Sequence, residues 1–321
     1  MRKIFDVVAL GELLIDFTEN GLSSQGNPMF EANPGGAPCN VLSMLARLGH
    51  RVSFIGKVGN DMFGNILENA ITEVGIDTSG LLKDAEVNTT LAFVHTLPGG
   101  DRDFSFYRKP GADMMLSAED LKVDLLNDCN VFHFGTLSMT AVGCRKATQE
   151  AVAIAKQAGA IISFDPNLRE PLWDSLDEAK EQTAYGLANC DILKISDNEI
   201  LWFTGESDYE AGVRQLQKNY NISLILVSLG REGSMAFSGS NKATVPAFIQ
   251  EHTIETTGAG DTFCGCILHQ VLEKGLRVYS TEELKEMLTF ANAAASIITT
   301  KKGALRMMPT MDEIQKLLNS I

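Results

Sequence analysis

The sequence predicts an α/β protein with a mainly parallel central sheet, helices on both of its faces and a small β-lid. Three observations lead there. Short apolar runs rich in β-branched residues recur along the chain, and helix-patterned stretches fill most of the gaps between them. No Ser/Gly-rich or Pro-rich linker divides the series, so residues 1–321 read as one domain.

Taken in order, the first run is "VVALG" (7–11). It follows a basic tip, but Asp6 and Glu12 interrupt it, and nothing in the chain approaches the ~18 apolar residues of a membrane helix. A first strand is the expected reading. "APCNVLSMLARLG" (37–49) has apolar positions at helical spacing and leads into the run "VSFIGKV" (52–58). Further runs follow at "VFHFG" (131–135), "IISFD" (161–165), "ILKIS" (192–196) and "LILVSLG" (224–230). The stretches "AVGCRKATQEAVAIAKQAG" and "EAGVRQLQKNY" supply crossover helices, as βαβ units require. Near the end, "DTFCGCILHQVLEKG" and "ELKEMLTFANAAASIITT" read as two more helices against the sheet.

Two regions break this rhythm, at approximately 12–34 and 88–109. The second alternates polar and apolar residues on either side of Pro98-Gly99-Gly100, a hairpin signal. Together they suggest the β-lid over a cleft at the strand ends, with an antiparallel edge on the main sheet as the alternative.

Composition restricts the function. With 41 acidic and 27 basic side chains the net charge is −14, which argues against nucleic acid and anionic membranes as partners. The six cysteines form no C-x-x-C pair, and no histidine stands at zinc-ligand spacing, so buried thiols in a reducing, cytoplasmic setting are expected. His95, His133 and His252 lie in strand-like runs and read as packing or surface residues. The methionines read as core filler.

The most informative stretch is "ETTGAGDTFCG" (255–265). The P-loop pattern occurs nowhere, and Phe263 stands where a dinucleotide fingerprint needs its third glycine. What remains is an anion site: Gly258, Ala259 and Gly260 open a helix with little side chain to block approach to its free N–H groups. Asp261 beside them is suited to take a proton from an attacking hydroxyl, or else is an ordinary helix-start residue.

"TTGAGDTFCG" resembles the C-terminal signature of the ribokinase-like (PfkB) carbohydrate kinases, and "PGGAPCNVLSMLARLGHRVSFIGKVGND" resembles their N-terminal signature. The resemblance spans essentially the whole chain. It implies a ribokinase-like fold, ATP and Mg2+ as cofactors, and Asp261 as catalytic base beside the Gly258–Gly260 anion hole. It implies sugar contacts at Asp16, Gly35, Gly36 and Asn40, with Phe106, Arg108 and Arg169 as further substrate-binding positions. Lys194, Ser228, Gly230, Gly233 and Asn292 match nucleotide-binding positions. "KISDNE" resembles a magnesium-recruiting segment that keeps Glu199, acting through water, but has Ser196 in place of asparagine. Glu255 stands where potassium-activated members carry aspartate, so a K+ site at Glu255 and Thr257 is in doubt. The partners implied are a small sugar and ATP, with a homodimer through the lid as a further expectation.

Among family members the wording is most similar to fructokinases, with 2-keto-3-deoxygluconate kinases as the alternative. The acid kinases tend to carry tyrosine at the position of Phe106, and phenylalanine cannot hydrogen-bond a carboxylate. From another class, a non-catalytic sugar- or nucleotide-binding regulator on the same fold is the rival.

Overall fold

The computed structural model describes residues 3–96 and 102–320. The chain begins with strand β1 (Phe5–Leu10), then β2 (Leu14–Leu22), β3 (Pro28–Gly35), helix α1 (Ala37–Arg47), β4 (Val52–Gly59), α2 (Met62–Glu73) and β5 (Ile76–Asp84). It continues through β6 (Leu91–Thr96), β7 (Arg102–Tyr107), α3 (Val123–Asn127), β8 (Cys129–Gly135), α4 (Val142–Gln157), β9 (Ile161–Asp165), α5 (Leu176–Asn189) and β10 (Ile192–Ser196). Last come α6 (Asp197–Thr204), α7 (Tyr209–Asn219), β11 (Leu224–Ser228), β12 (Ser234–Ser238), β13 (Asn241–Val245), α8 (Ala259–Lys274), α9 (Thr281–Ile298) and α10 (Met311–Leu318).

Among the described residues, nine strands form the main sheet in the order β13-β12-β11-β10-β9-β8-β1-β4-β5. All neighbours from β5 to β11 pair in parallel, as the βαβ rhythm implies. Residue alternation explains why the strands are apolar throughout. Val7 and Ala9 belong to the core under α1, α8 and α9, whereas Val8 and Leu10 belong to the core on the opposite face. The same split divides Leu224 and Leu226 from Ile225 and Val227. A strand buried on both faces has no polar side to alternate with.

Three strands of this sheet escaped the sequence reading: β5, and the antiparallel pair β12 and β13 that closes one edge. β5 and β13 carry exposed residues, and β12, buried throughout, has only Met235-Ala236-Phe237 between two serines, so none shows a long apolar run.

A separate four-stranded sheet has the order β3-β2-β6-β7. It unites the two irregular regions, so they are not an edge of the main sheet. β6 and β7 pair antiparallel with Thr96 opposite Arg102. The Pro98-Gly99-Gly100 turn expected between them lies outside the described residues. Phe17, Phe93, Phe30 and Tyr107 form ring contacts within this small sheet.

All six cysteines are buried and unbridged. Among the described residues no helix is long and apolar enough to cross a membrane.

Candidate active site

The parallel strands of the main sheet end together, and the chemistry collects beyond their C-terminal ends, where open α/β sheets form their crevices. A cavity of about 470 Å3 lies there, between the strand ends, the start of α8 and the small sheet. A second cavity of about 310 Å3 adjoins it, sharing Asn167, Arg169 and Lys194 as lining.

Strand ends build the floor. β9 delivers Asp165 and β10 delivers Lys194, both buried, and they form an ion pair with Nζ and Oδ2 2.9 Å apart. Burial works against the Lys194 charge, but Asp165, Glu199 and Asp261 outweigh it and hold the ammonium pKa above its ordinary value. Asp165 Oδ1 is buried without a hydrogen-bond partner. Just past β1, Glu12 is buried too and accepts the Ala37 N–H at 2.9 Å. Burial pushes the Glu12 carboxyl up to about 7, against the pull of the Glu12 and Ala37 amides.

The anion loop meets this floor from above. Gly258 adopts φ 76° as the N-cap of α8, and no side chain caps the helix. A Cβ at Gly258 would lie 2.6 Å from the Ala304 Cβ, so both conformation and space call for glycine. The Ala259 N–H turns back to Thr256 O at 3.2 Å, and Ala259 does not line the cavity, whereas Gly258, Gly260 and Asp261 do. Lys194 Nζ lies 3.2 Å from where a Cβ of Gly260 would stand, so a full positive charge backs the first helical turn. That adds to the helix dipole at the same point.

Asp261 faces the cavity and accepts a hydrogen bond from Asn40 Nδ2 at 2.8 Å. Burial raises its pKa, while Asn40, Lys194 and Arg169 pull it down. Asn40 Oδ1, buried without a partner, leaves an acceptor next to the carboxylate. The two residues are 221 positions apart and meet because α1 packs along α8.

On the opposite wall, β2 and β3 present Asp16, Asn33 and Gly35, with Asp16 opposite Asn33 in register. A Cβ at Gly35 would stand 2.2 Å from Asp16 Oδ2, so glycine leaves that carboxylate its place. Gly36, Phe106 and Arg169 also line this cavity. These residue types can bind a polyol: carboxylate and amide oxygens accept from hydroxyls, and the guanidinium donates.

Other expected residues are placed elsewhere. Arg108 does not reach the cavity. It is 4% exposed, its Nε and Nη2 donate to Asp113 Oδ2 at 2.8 and 2.7 Å, and Nη1 donates to Thr140 Oγ1 at 2.8 Å. Nη2 also reaches Leu137 O at 3.1 Å, so an internal carboxylate satisfies the guanidinium and leaves it no fork for a ligand. Asn292 is similarly occupied. Its Oδ1 accepts from Ser234 Oγ at 2.8 Å, and Nδ2 donates to Val245 O and Pro246 O, binding α9 to the antiparallel edge. Ser228, Gly230 and Gly233 group at the β11–β12 connection, outside both cavities.

Glu199 lines the second cavity. Its Oε2 accepts from Ser196 N and Oγ at 2.8 and 2.7 Å, and Oε1 accepts the Leu168 N–H at 2.7 Å. Ser196, which replaces the expected asparagine, is thus the N-cap of α6 in a capping box with Glu199. A carboxylate has about four lone-pair sites, so one remains for a water on Mg2+, which fits an outer-sphere role and not direct ligation. Glu255 and Thr257 line the main cavity, but Glu255 Oε1 already accepts the Gly303 N–H at 2.7 Å.

Glu12 and Asp165 were not singled out in the sequence. The signal that could have found them is position: each is an acid at the end of an apolar run that becomes a parallel strand.

Comparison with known proteins agrees with this architecture. The pfkB family carbohydrate kinase pattern matches residues 5–311. Fructokinase-1 of Zea mays is 41% identical over 314 residues, covering 97% of each chain. The structure of a fructokinase with bound ATP from Xylella fastidiosa superposes with a TM-score of 0.90 at 30% identity, covering 99% of both chains. A Vibrio cholerae fructokinase double mutant, in a form with fructose, ADP and potassium ion bound, gives 0.88 at 28% identity over 99% of both. The ribokinase-like topology is therefore shared. Asp261 heads α8 over a cleft at the strand ends, the family pattern runs nearly from end to end, and the chain belongs to the pfkB family of carbohydrate kinases.

Proposed function

We propose that the protein transfers the γ-phosphoryl group of ATP to a primary hydroxyl of fructose, forming fructose 6-phosphate. The observation that carries this reading is the placement of Asp261 beside Asn40 at the uncapped start of α8, inside a cavity of polar hydroxyl-binding groups. Asp261 takes the proton from the attacking hydroxyl as the new O–P bond forms. Amides of Gly258 and Gly260 and the Lys194 ammonium stabilise the charge on the transferring group. Glu199 would hold magnesium through a water, and the ion when bound would supply charge neutralisation to the nucleotide phosphates. Asp16, Asn33 and Asn40 orient the sugar, and the small sheet excludes water that would otherwise accept the phosphoryl group. The group at Ser228, Gly230 and Gly233 marks the direction of the nucleotide base.

Engagement of Arg108 by Asp113 favours fructose over a keto-sugar acid, because the lid-side cation that would pair a carboxylate is already neutralised. Relatives of this chain are fructokinases at about 40% identity, which supports the same choice. The test is kcat/KM with MgATP for fructose, 2-keto-3-deoxygluconate, ribose and adenosine. A higher value for any of the last three overturns the assignment. Absence of ADP release with all four would point to the non-catalytic regulator instead.

A further inference from the structure

α1 and α8 lie side by side and are joined at both ends. At the catalytic end Asn40 donates to Asp261. In the middle Gly265 allows close approach, since a Cβ there would sit 2.7 Å from the Met44 Cβ. At the far end, His50 Nε2, three residues past α1, faces His269 Nδ1 of α8 at 2.7 Å. Glu273 follows His269 by one helical turn, and ligand atoms of the three residues all lie within 4.8 Å of one another. Kinase chemistry uses none of them.

We propose that His50, His269 and Glu273 form a zinc-binding site that fastens the end of α1 to α8. Two facing imidazole nitrogens at this distance share one proton, and a cation that prefers nitrogen donors replaces it. Two histidines on tetrahedral zinc, at about 2.0–2.1 Å each, hold their nitrogens roughly 3.3 Å apart, so the two nitrogens must part by about half an ångström while the carboxylate moves in from within 4.8 Å. The Glu273 carboxylate completes three protein ligands, and water takes the fourth position. A carboxylate also stands near His50, beyond hydrogen-bond distance. The other His50 nitrogen, Nδ1, lies 3.7 Å from Asp6 Oδ2, so a closer approach of about 0.8 Å would give the carboxylate–histidine hydrogen bond that supports metal-bound imidazoles. Asp6 is itself held by the Arg51 N–H at 2.9 Å. The His269 ring lies against Phe290, with centroids 5.9 Å apart. Ligand type selects zinc or its chemical neighbours over magnesium and calcium, which prefer all-oxygen sites.

His50 and His269 are 219 positions apart, so the only local trace of the site is the i, i+4 pair His269 and Glu273 on α8. Eight residues of helix separate His269 from Asp261, about 12 Å along the axis, so the metal acts on the scaffold and not on the phosphoryl group.

The test uses the full chain, freed of metal by a chelator and titrated with zinc alone, without nucleotide. One equivalent of zinc should bind and raise the unfolding temperature, and cobalt(II) should give the visible absorption of a tetrahedral site. His50→Ala and His269→Ala should lose both responses. Because Glu273 is exposed, Glu273→Gln is expected to fold normally and, having lost a direct ligand, to bind zinc more weakly by at least the roughly 10–100-fold that loss of an outer-shell partner costs. The proposal is overturned if wild type binds no zinc, or if Glu273→Gln and a folded histidine variant bind it as tightly as wild type does.

Discussion

In the proposed mechanism the pKa of Asp261 is where a single residue decides the chemistry. A base must be ionised to accept a proton, and burial raises the pKa of this carboxyl while Asn40, Lys194 and Arg169 restrain the rise. Asp261→Asn should lower kcat by roughly 100- to 10,000-fold while sugar affinity is nearly kept, the usual result when a positioned base is removed. Retention of a third or more of the wild-type kcat, where chemistry limits turnover, would remove Asp261 from the mechanism. Asn40→Ala removes a hydrogen bond to the ionised form, so the Asp261 pKa rises further. The acidic limb of the kcat pH profile should therefore move to higher pH, and an unmoved or lowered limb would contradict that role. At this scale the sequence was legible for the place of Asp261 in the cleft and misleading for that of Arg108. Both are charged residues in expected places, but only the structure reveals Asp113 as the partner of Arg108.

At the scale of elements, the start of α8 depends on a turn that only glycine fits. Gly258→Ala places a Cβ both at φ 76° and 2.6 Å from the Ala304 Cβ, so the loop must shift. A loss of about 1–3 kcal/mol in unfolding free energy is expected from such strain, with a larger proportional fall in kcat because, in the proposed mechanism, the displaced amides face the phosphoryl group. Wild-type kcat in the alanine variant would show that the turn does not set the amides. The segment before the loop is tied down by protein contacts. Glu255 Oε1 accepts the Gly303 N–H, and the amides of Ile254 and Glu255 both donate to Thr299 O. With the carboxylate so engaged, wild type should show little activation by potassium over sodium or a bulky organic cation at constant ionic strength, and Glu255→Asp should increase it. Several-fold activation of wild type would show that glutamate serves a cation site well.

The whole molecule responds to pH through groups buried near the strand ends. Glu12 has its pKa raised from 4.5 to about 7, so its contribution to stability is present below pH 4.5 and is lost as pH rises through about 7. His133, whose ring nitrogen lies 2.9 Å from Ser163 Oγ, is pushed down to about 3 by burial and the nearby Lys194. Its contribution is present above pH 6.5 and is lost as pH falls toward 3. The two oppose one another between pH 4.5 and 6.5. Glu12→Gln keeps an acceptor for the Ala37 N–H but cannot ionise. Its stability relative to wild type should climb from pH 4.5 to 8 by up to ~3 kcal/mol, taking one pKa unit as about 1.36 kcal/mol. Chemical unfolding of both proteins at three pH values measures this directly. A difference that stays level would mean that Glu12 ionises in the folded protein at its ordinary pKa, with no shift from burial.

By itself the sequence determined the parallel core, the two irregular regions and the anion loop, because each depends on neighbours in the chain. A strand buried on both faces must be apolar throughout, a hairpin alternates, and a helix start that binds anions needs small residues followed by an uninterrupted helical stretch. The tertiary structure alone decided that Asn40 would meet Asp261, that Asp165 would hold Lys194 behind Gly260, that Arg108 and Asn292 would be occupied within the protein, and that His50 would face His269. In each case the deciding partner lies on a different element and, Asp113 aside, tens to hundreds of residues away. A side chain's availability depends on which opposite charge or amide the packing brings within hydrogen-bond reach, and local pattern holds no record of that distance.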